Sequence, residues 1–310
     1  MTWFDLAPAY GRGQAEVIAA DFLKGRRDRV QVATKVGLAP PKSRPLVDHF
    51  MPLARWMMEA APQLRQLVRR SGLQANRRLP LTPQLVQRSI EASLRRLRTD
   101  HVDLLGIHNA APEDLARDEL KRVFEDLVTA GKARAIAVAG GEEAACFALT
   151  REAVVPVSVI QIPLPPPGAP VTILRRARAV DAGLIVHSVF GIPGGEGPQL
   201  SRLATDVSLR DQAADAVGTD DPRLALGRLR LARAFALVPD GIVLASMFSE
   251  RSRQENLALA TTPRTAAATA ILDHLEGSVP AVSGPLPEGH GRRAPAAKGR
   301  RARQKKSGAA

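Results

Sequence analysis

The chain has 310 residues, 45% of them hydrophobic, which is enough for one large α/β barrel or for two ordinary domains. The net charge of +13 does not make the whole chain a candidate nucleic-acid binder, because eight basic residues and no acidic one fall in residues 290–310. Its one cysteine excludes an internal disulfide, and neither a signal-peptide pattern nor an apolar run of ~18 residues occurs, so we expect a cytoplasmic protein without a transmembrane segment.

Strand-like and helix-like segments alternate along the chain. Strands are predicted over residues 2–5, 30–35, 102–107, 133–138, 157–162, 184–189 and 241–246. Helices are predicted over residues 14–24, 82–97, 116–130, 142–150, 171–181, 222–237, 250–260 and 264–276. Apolar strands separated by amphipathic helices are typical of a parallel sheet covered by helices, so we expect an α/β fold with seven recognisable strands.

An insertion over residues 38–81 is longer than an ordinary connection between a strand and a helix. Between residues 46 and 70, apolar residues recur at helical spacing among four arginines. One hypothesis is a lid that brings Trp56 or Met57 to a substrate. The alternatives are a helix packed on the rim of the fold and a basic segment that lies on a membrane surface.

The C-terminal segment differs in composition from the rest of the chain. From residue 278 onward Pro, Gly, Ala and basic residues replace any apolar periodicity, which predicts a folded domain over residues 1–277 and a disordered basic tail over residues 278–310. Such a tail either only increases solubility or makes weak, salt-dependent contact with nucleic acid or an anionic surface.

Four residues that can build a proton donor stand at or just after predicted strand ends: Asp5, Tyr10, Lys35 and His108. In a βα barrel such ends open onto one face, where chemistry is done. A free tyrosine phenol has a pKa of ~10, and a nearby ammonium such as that of Lys35 stabilises the phenolate. Asp5 can keep that ammonium charged in a dry pocket. When a hydride reaches a carbonyl carbon, Tyr10 can protonate the oxygen while His108 hydrogen-bonds to it, which is carbonyl reduction.

The order and spacing of these residues resemble the catalytic tetrad of the aldo-keto reductases. The similarity covers about residues 2–260 and is strongest in residues 4–11, 34–37, 89–108 and 131–138. It implies a (β/α)8 TIM barrel that lacks the first β/α unit, since seven strands are recognisable instead of eight. A translation start before Met1 or a barrel opened at one seam would each account for the missing unit.

The resemblance implies an NAD(P)H-dependent reductase of aldehydes or ketones that uses no metal. Tyr10 would be the general acid, Lys35 and Asp5 would tune it, and His108 would place the carbonyl. A second interpretation is a non-catalytic barrel that acts as a binding or regulatory protein. Taken singly, a lysine that ends a strand is more often solvated, and a histidine after an apolar run is more often a core residue.

The cofactor would bind without a Rossmann domain, because no Gly-x-Gly-x-x-Gly sequence follows a strand. The resemblance implies NADP, with NAD as the alternative, extended across the barrel mouth. It assigns Gln161 to the carboxamide, Phe190 beside His187 to the nicotinamide ring, Arg251 or Arg253 to a 2′-phosphate, Glu255 and Asn256 to the adenine end, and Ser246 to the same nucleotide. The Ser-Asn pair that the family uses at the carboxamide reads Ala139-Gly140 here, so two polar contacts are absent.

Overall fold

The computed structural model describes residues 2–40, 76–166, 171–191, 196–247, 249–261 and 265–277. Within these ranges, seven parallel strands form one sheet. They are β1 (Trp3–Asp5), β2 (Gln31–Val36), β5 (Val102–His108), β6 (Ala133–Ala139), β7 (Val157–Pro163), β8 (Gly183–His187) and β9 (Ile242–Val243). Their order across the sheet follows the chain, with β1 and β9 at the two edges. A separate antiparallel pair joins β3 (Leu38–Ala39) to β4 (Arg77–Arg78).

Eleven α-helices lie in the described ranges, and several of them cover the outer face of this sheet. Their bounds are α1 (Gln14–Leu23), α2 (Pro83–Leu97), α3 (Pro112–Leu115), α4 (Asp118–Thr129), α5 (Glu142–Ala148), α6 (Thr172–Ala179), α7 (Gly197–Thr205), α8 (Val207–Val217), α9 (Pro222–Leu237), α10 (Glu250–Thr261) and α11 (Thr265–Gly277). The main core lies between the strands and these helices and includes the fully buried Ile90, Leu97 and Phe124. In the part of the chain that the structure describes, no helix is long and apolar enough to cross a membrane.

Helix α2 shows how local sequence sets the element boundaries. It begins at Pro83 because the Thr82 side chain accepts a hydrogen bond from the Leu85 N–H at 3.2 Å, and proline at the first turn needs no donor. It ends where Arg98 adopts a left-handed conformation, with φ of 53°. Its buried side chains recur at helical spacing, so one face of α2 packs against the sheet.

The inner face of the sheet is curled, so that side chains from all seven strands meet. Ala33, Leu104, Ala137 and Ile185 form a buried cluster, and Trp3 of β1 and Ile242 of β9 are among the residues packed against it. The two edge strands therefore contribute to the same interior, as in a barrel. This curvature is what brings the carboxyl ends of distant strands around one opening.

The predicted fold class and its seven parallel strands are confirmed. Strand β8 ends at His187 rather than at residue 189, because Ser188 has a left-handed φ of 56° and turns the chain. Strand β9 pairs for two residues only, with β8 as its one neighbour in the described sheet. The sequence did not predict the short β3–β4 pair or α7 and α8, which pack with α9 and α11 in a second apolar cluster away from the sheet. Trp56, most of the insertion and the tail over residues 278–310 lie outside the described residues.

The amino-terminal end of the barrel is held by one carboxylate. Asp103 is 9% exposed, and its Oδ2 accepts hydrogen bonds from the Val32 N–H and from Arg27 Nη2, both at 2.8 Å. Its Oδ1 accepts from Arg134 Nη1 at 2.8 Å. Asp103 thus connects β2, β5 and β6 at the end opposite the strand-end residues, the end of a βα barrel whose contacts contribute to stability rather than to chemistry.

Replacing Asp103 should destabilise the folded protein. We expect Asp103→Ala to lower the free energy of unfolding by about 2–4 kcal/mol, because it leaves the Val32 N–H without its acceptor and the mostly buried Arg27 without its countercharge. The matched control is Asp21→Ala, which removes an exposed ion pair to Arg98 and should change the free energy by about 1 kcal/mol or less. Urea unfolding of both variants measures the difference, and equal effects would contradict this role for Asp103.

Candidate active site

The strand-end residues meet on the inner face at the carboxyl end of the barrel. Asp5 is the last residue of β1, and His108 is the last residue of β5. Lys35 lies near the end of β2, level with Gly106 of β5. Side chains on a strand alternate between faces, so Lys35 points inward while its neighbour Thr34 points toward the helices. Gly106 leaves room for the lysine stem, because a Cβ there would lie 3.2 Å from Lys35 Cγ.

Lys35 is the buried centre of this group, with a side chain that is 2% exposed. Its ammonium donates to Asp5 Oδ2 at 2.6 Å, to the Leu6 carbonyl at 3.3 Å and to the Tyr10 hydroxyl at 3.3 Å. These three acceptors match the three donors of an ammonium group. The predicted pairing of Lys35 with both Asp5 and Tyr10 is present in the structure.

Tyr10 lies at the start of a 3-10 turn, Tyr10–Gly13, that leads into α1. Its side chain is 37% exposed, so the ring borders the opening of the barrel while the hydroxyl contacts the buried ammonium. The Tyr10 and His108 rings meet edge to face, with centroids 6.4 Å apart and an interplanar angle of 87°. A polar group that entered here would reach a phenol and an imidazole together.

His108 is held neutral by its surroundings. Burial is the largest cause, followed by the Lys35 charge and by His187, and together they lower the pKa of His108 to about 4. At neutral pH the imidazole therefore has one N–H to donate and one nitrogen to accept. This suits a group that hydrogen-bonds to a carbonyl rather than one that carries a charge.

His187 is a member of this group that the sequence analysis placed beside Phe190 at the strand end near the nicotinamide and did not connect with the tetrad. It ends β8, and its Nδ1 lies 2.9 Å from Ser188 Oγ. Burial and then the Lys35 charge lower the pKa of His187, whereas Asp5 raises it, so the imidazole faces the same ion pair. The signal in the sequence was its position at the end of a predicted strand, but the aromatic Phe190 nearby was the stronger candidate for a nicotinamide contact.

Gln161 and Phe190 are held by protein contacts in this structure. Gln161 is 3% exposed, and its Nε2 donates to Asp5 Oδ1 at 3.4 Å, so it joins the tetrad from the opposite wall of the barrel. Phe190 is half-buried in the main core beside Gly227 of α9. Its carbonyl accepts a hydrogen bond from Arg230 at 2.7 Å.

The other predicted nucleotide contacts cluster around the first turns of α10. Ser249 precedes the helix, and its Oγ accepts from the Ser252 N–H at 3.1 Å. Asn256 Nδ2 donates to the Ser246 carbonyl at 3.4 Å. Arg251 pairs with Glu255 at 2.8 Å, and Arg253 pairs with Glu250; Arg251 is exposed and Arg253 is partly exposed.

These features fit a nicotinamide nucleotide. The N-terminus of a twelve-residue helix can bind a phosphate, and the guanidinium groups of Arg251 and Arg253, each paired with a glutamate in this structure, lie on its first turns. At the barrel mouth, Gly140 is required where the family has Asn, because a Cβ there would lie 2.8 Å from Asn109 Oδ1. Asn109 thus packs against the Gly140 backbone and leaves no room for a side chain at that position. No three His, Cys, Asp or Glu side chains come together as metal ligands in the described ranges.

The Aldo/keto reductase family model matches residues 1–194, which is more than half of the chain. The chain belongs to the aldo/keto reductase family. It is 34% identical over 170 residues to the aldo-keto reductase YhdN of Bacillus subtilis, a match that covers 53% of this chain and 39% of that protein. The matched stretch therefore spans well under half of the curated relative.

Solved structures show the same fold. The aldo-keto reductase AKR11C1 of Bacillus halodurans, in its holo form, superposes with a TM-score of 0.62 at 21% identity and covers 89% of this chain and 82% of its own. An aldo-keto reductase from Klebsiella pneumoniae, solved in complex with NADPH, gives a TM-score of 0.60 at 21% identity, covering 89% of this chain and 80% of its own. At these identities the likeness establishes the barrel architecture of this member of the aldo/keto reductase family.

The neutral state of His108 has a consequence for stability. We expect the wild-type protein to lose stability relative to a His108→Asn variant as the pH falls from 6.5 to about 4. In this window the unfolded chain binds a proton at His108 and the folded chain does not; above it both states are neutral, and below it both are charged.

Urea unfolding of both proteins at several pH values tests this. Between pH 6.5 and about 4, the difference in unfolding free energy between the two proteins should change by at most about 1.4 kcal/mol per pH unit. The actual change should be smaller because the His108 ring is partly exposed to solvent. A difference that does not depend on pH would contradict a buried, neutral His108.

Proposed function

We propose that this aldo/keto reductase reduces a small aldehyde or ketone to the alcohol with a nicotinamide nucleotide as hydride donor. The observation that carries the proposal is the contact of one buried ammonium, Lys35, with both Asp5 and the Tyr10 hydroxyl. A non-catalytic barrel has no need of a buried charge whose third partner is an exposed phenol, since burying a charge is costly. The contact therefore favours the enzyme over the regulatory alternative.

In the proposed reaction each side chain has one task. A bound nicotinamide nucleotide supplies hydride to the carbonyl carbon. Tyr10 donates its hydroxyl proton to the carbonyl oxygen as negative charge develops there. Lys35 stabilises the resulting phenolate, and Asp5 balances the lysine charge. His108, which is uncharged at neutral pH, donates its N–H to the carbonyl oxygen and so orients the carbonyl group.

We propose NADP as the cofactor, with NAD as the alternative. The Klebsiella relative in complex with NADPH supports this preference at the level of the fold. Candidate contacts are Gln161, Phe190, Ser246, Arg251, Arg253, Glu255 and Asn256. Trp56 of the insertion remains the predicted substrate contact, and a cytoplasmic location stays a prediction.

The hydroxyl of Tyr10 can be tested directly. Tyr10→Phe removes that one oxygen and should lower kcat by roughly 10²–10⁴-fold while NADPH binding is unchanged, because the hydroxyl acts on the carbonyl and not on the nucleotide. Turnover of nitrobenzaldehyde and glyceraldehyde is followed by NADPH absorbance, and binding by nicotinamide fluorescence.

Thr150→Val is the control, since it removes a hydroxyl whose partners are local: it donates to the Phe147 carbonyl near the end of α5 and accepts from the Glu152 N–H. It should turn over like the wild type. Equal turnover by Tyr10→Phe would exclude the proposed general acid, and NADPH binding without any turnover by the wild type would favour the non-catalytic barrel.

The two arginines of α10 should decide between the nucleotides. Replacing Arg251 or Arg253 by Ala should raise the Kd of NADPH by roughly 10-fold or more and leave that of NADH within about 2-fold, because a guanidinium contact to the 2′-phosphate is lost. Arg175→Ala on α6 is the control for loss of a surface charge. Equal weakening for both nucleotides would place these arginines away from the 2′-phosphate.

A further inference from the structure

A fully buried carboxylate lies behind the catalytic face, on the helix side of β2. Glu16 in the first turn of α1 is 0% exposed. Its Oε1 accepts a hydrogen bond from Thr34 Oγ1 at 2.6 Å, and its Oε2 accepts from Arg96 Nε at 2.6 Å. Arg96 also donates to the buried Ser93 hydroxyl at 3.2 Å. Glu16 thus joins α1 to both β2 and α2, and no step of the proposed reaction uses it.

The turn that carries Tyr10 is attached to β2 at two points. On its N-terminal side, the Leu6 N–H donates to the Ala33 carbonyl at 2.9 Å, and the Tyr10 N–H donates to the Ala7 carbonyl at 3.0 Å. On its C-terminal side, Glu16 bonds to Thr34. The two attachment points, Ala33 and Thr34, directly precede Lys35 on the same strand.

Between these two attachment points the backbone is not helical, so regular helix hydrogen bonds do not fix its conformation. Gly11, Arg12 and Gly13 have left-handed φ values of 56°, 57° and 88° in succession. Glycine adopts such values freely, whereas at Arg12 the conformation persists only where the surroundings hold it. Arg96 closes against the turn, because a Cβ on Gly13 would lie 3.3 Å from its Cδ and Nε, and the same arginine is bonded to Glu16.

We propose that Glu16 is a positioning residue that sets the contact between the Tyr10 hydroxyl and the Lys35 ammonium. Thr34 and Lys35 are consecutive on β2 and point to opposite faces, so a carboxylate that binds Thr34 from outside fixes α1 relative to the ammonium inside. Tyr10 follows α1 because the Gln14 N–H, where the helix begins, bonds back to the Tyr10 carbonyl. The effect on turnover rests on the proposed function; the effect on Tyr10 geometry does not.

Two buried hydroxyls of this network provide a matched pair of variants. Thr34→Val removes the link from Glu16 to β2, and Ser93→Ala removes only a link within α2; both side chains are 0% exposed. Tyr10 is the sole tyrosine of the chain, so protein with tyrosine labelled at ¹³Cζ gives a single resonance that reports its hydroxyl environment. We expect Thr34→Val to shift or broaden this resonance and Ser93→Ala to leave it at the wild-type position.

Turnover should divide in the same way. Thr34→Val should lower kcat by roughly ten- to a hundredfold with KM within about 2-fold, since a small displacement of the proton donor affects the chemical step. Ser93→Ala should keep both values near wild type. Glu16→Gln should resemble wild type more closely than Thr34→Val, because its amide can still bond to the Thr34 hydroxyl and its oxygen can still accept from Arg96. Melting temperatures identify any loss that comes from unfolding.

The outcomes separate the two proposals. A Tyr10 resonance that responds to Thr34→Val and not to Ser93→Ala supports the positioning role, even if no carbonyl is turned over and the proposed function fails. An unchanged resonance in folded Thr34→Val overturns the role of Glu16, even if the wild type is an active reductase. Equal responses in the two variants also overturn it, because they would show only a general loss of packing.

Discussion

The hydrogen bonds of the buried Lys35 ammonium are the interaction on which the structure of the barrel mouth depends. A charged group removed from water costs several kcal/mol unless oxygen acceptors replace its hydration. Here the acceptors are Asp5 from β1, the Leu6 carbonyl from the following loop and the Tyr10 hydroxyl from the turn before α1. Each comes from a different local structure. The conformations of the strand end, the loop and the turn are therefore coupled through one nitrogen atom.

Small residues on the neighbouring strands leave room for the Lys35 side chain inside the barrel. Gly106 stands beside the lysine stem where a larger residue would collide with it, and Ala137 and Ala139 line the adjacent strand with small side chains. The same ammonium then acts on its neighbours. Together with burial it keeps His108 in the neutral form, so the mouth holds one balanced ion pair and an imidazole that is free to donate a hydrogen bond.

The two ends of the barrel are built differently. At the amino-terminal end, Asp103 binds two arginines and a backbone N–H and joins three strands. At the carboxyl end, Asn109 and Ser188 have left-handed φ values of 52° and 56° directly after their strands. Unfavourable backbone conformations of this kind gather at functional sites, where tertiary contacts hold them. The contacts of Asp103 stabilise the amino-terminal end of the barrel, whereas the carboxyl end places the side chains of the candidate active site around its opening.

The sequence by itself determined the seven strands of the parallel sheet and indicated the four residues of the proposed tetrad. Apolar periodicity is a local property, so the seven strands could be found without a structure. Asp5, Tyr10, Lys35 and His108 were indicated by their positions near strand ends together with the resemblance to the aldo-keto reductases. Only the tertiary structure decided which distant groups meet. The curl of the sheet brings Gln161 to Asp5 and turns His187 toward the ion pair, while the packing of α1 and α2 on β2 buries Glu16 between them. These contacts join segments that are far apart in the chain. A local sequence pattern does not specify which distant segments will approach each other.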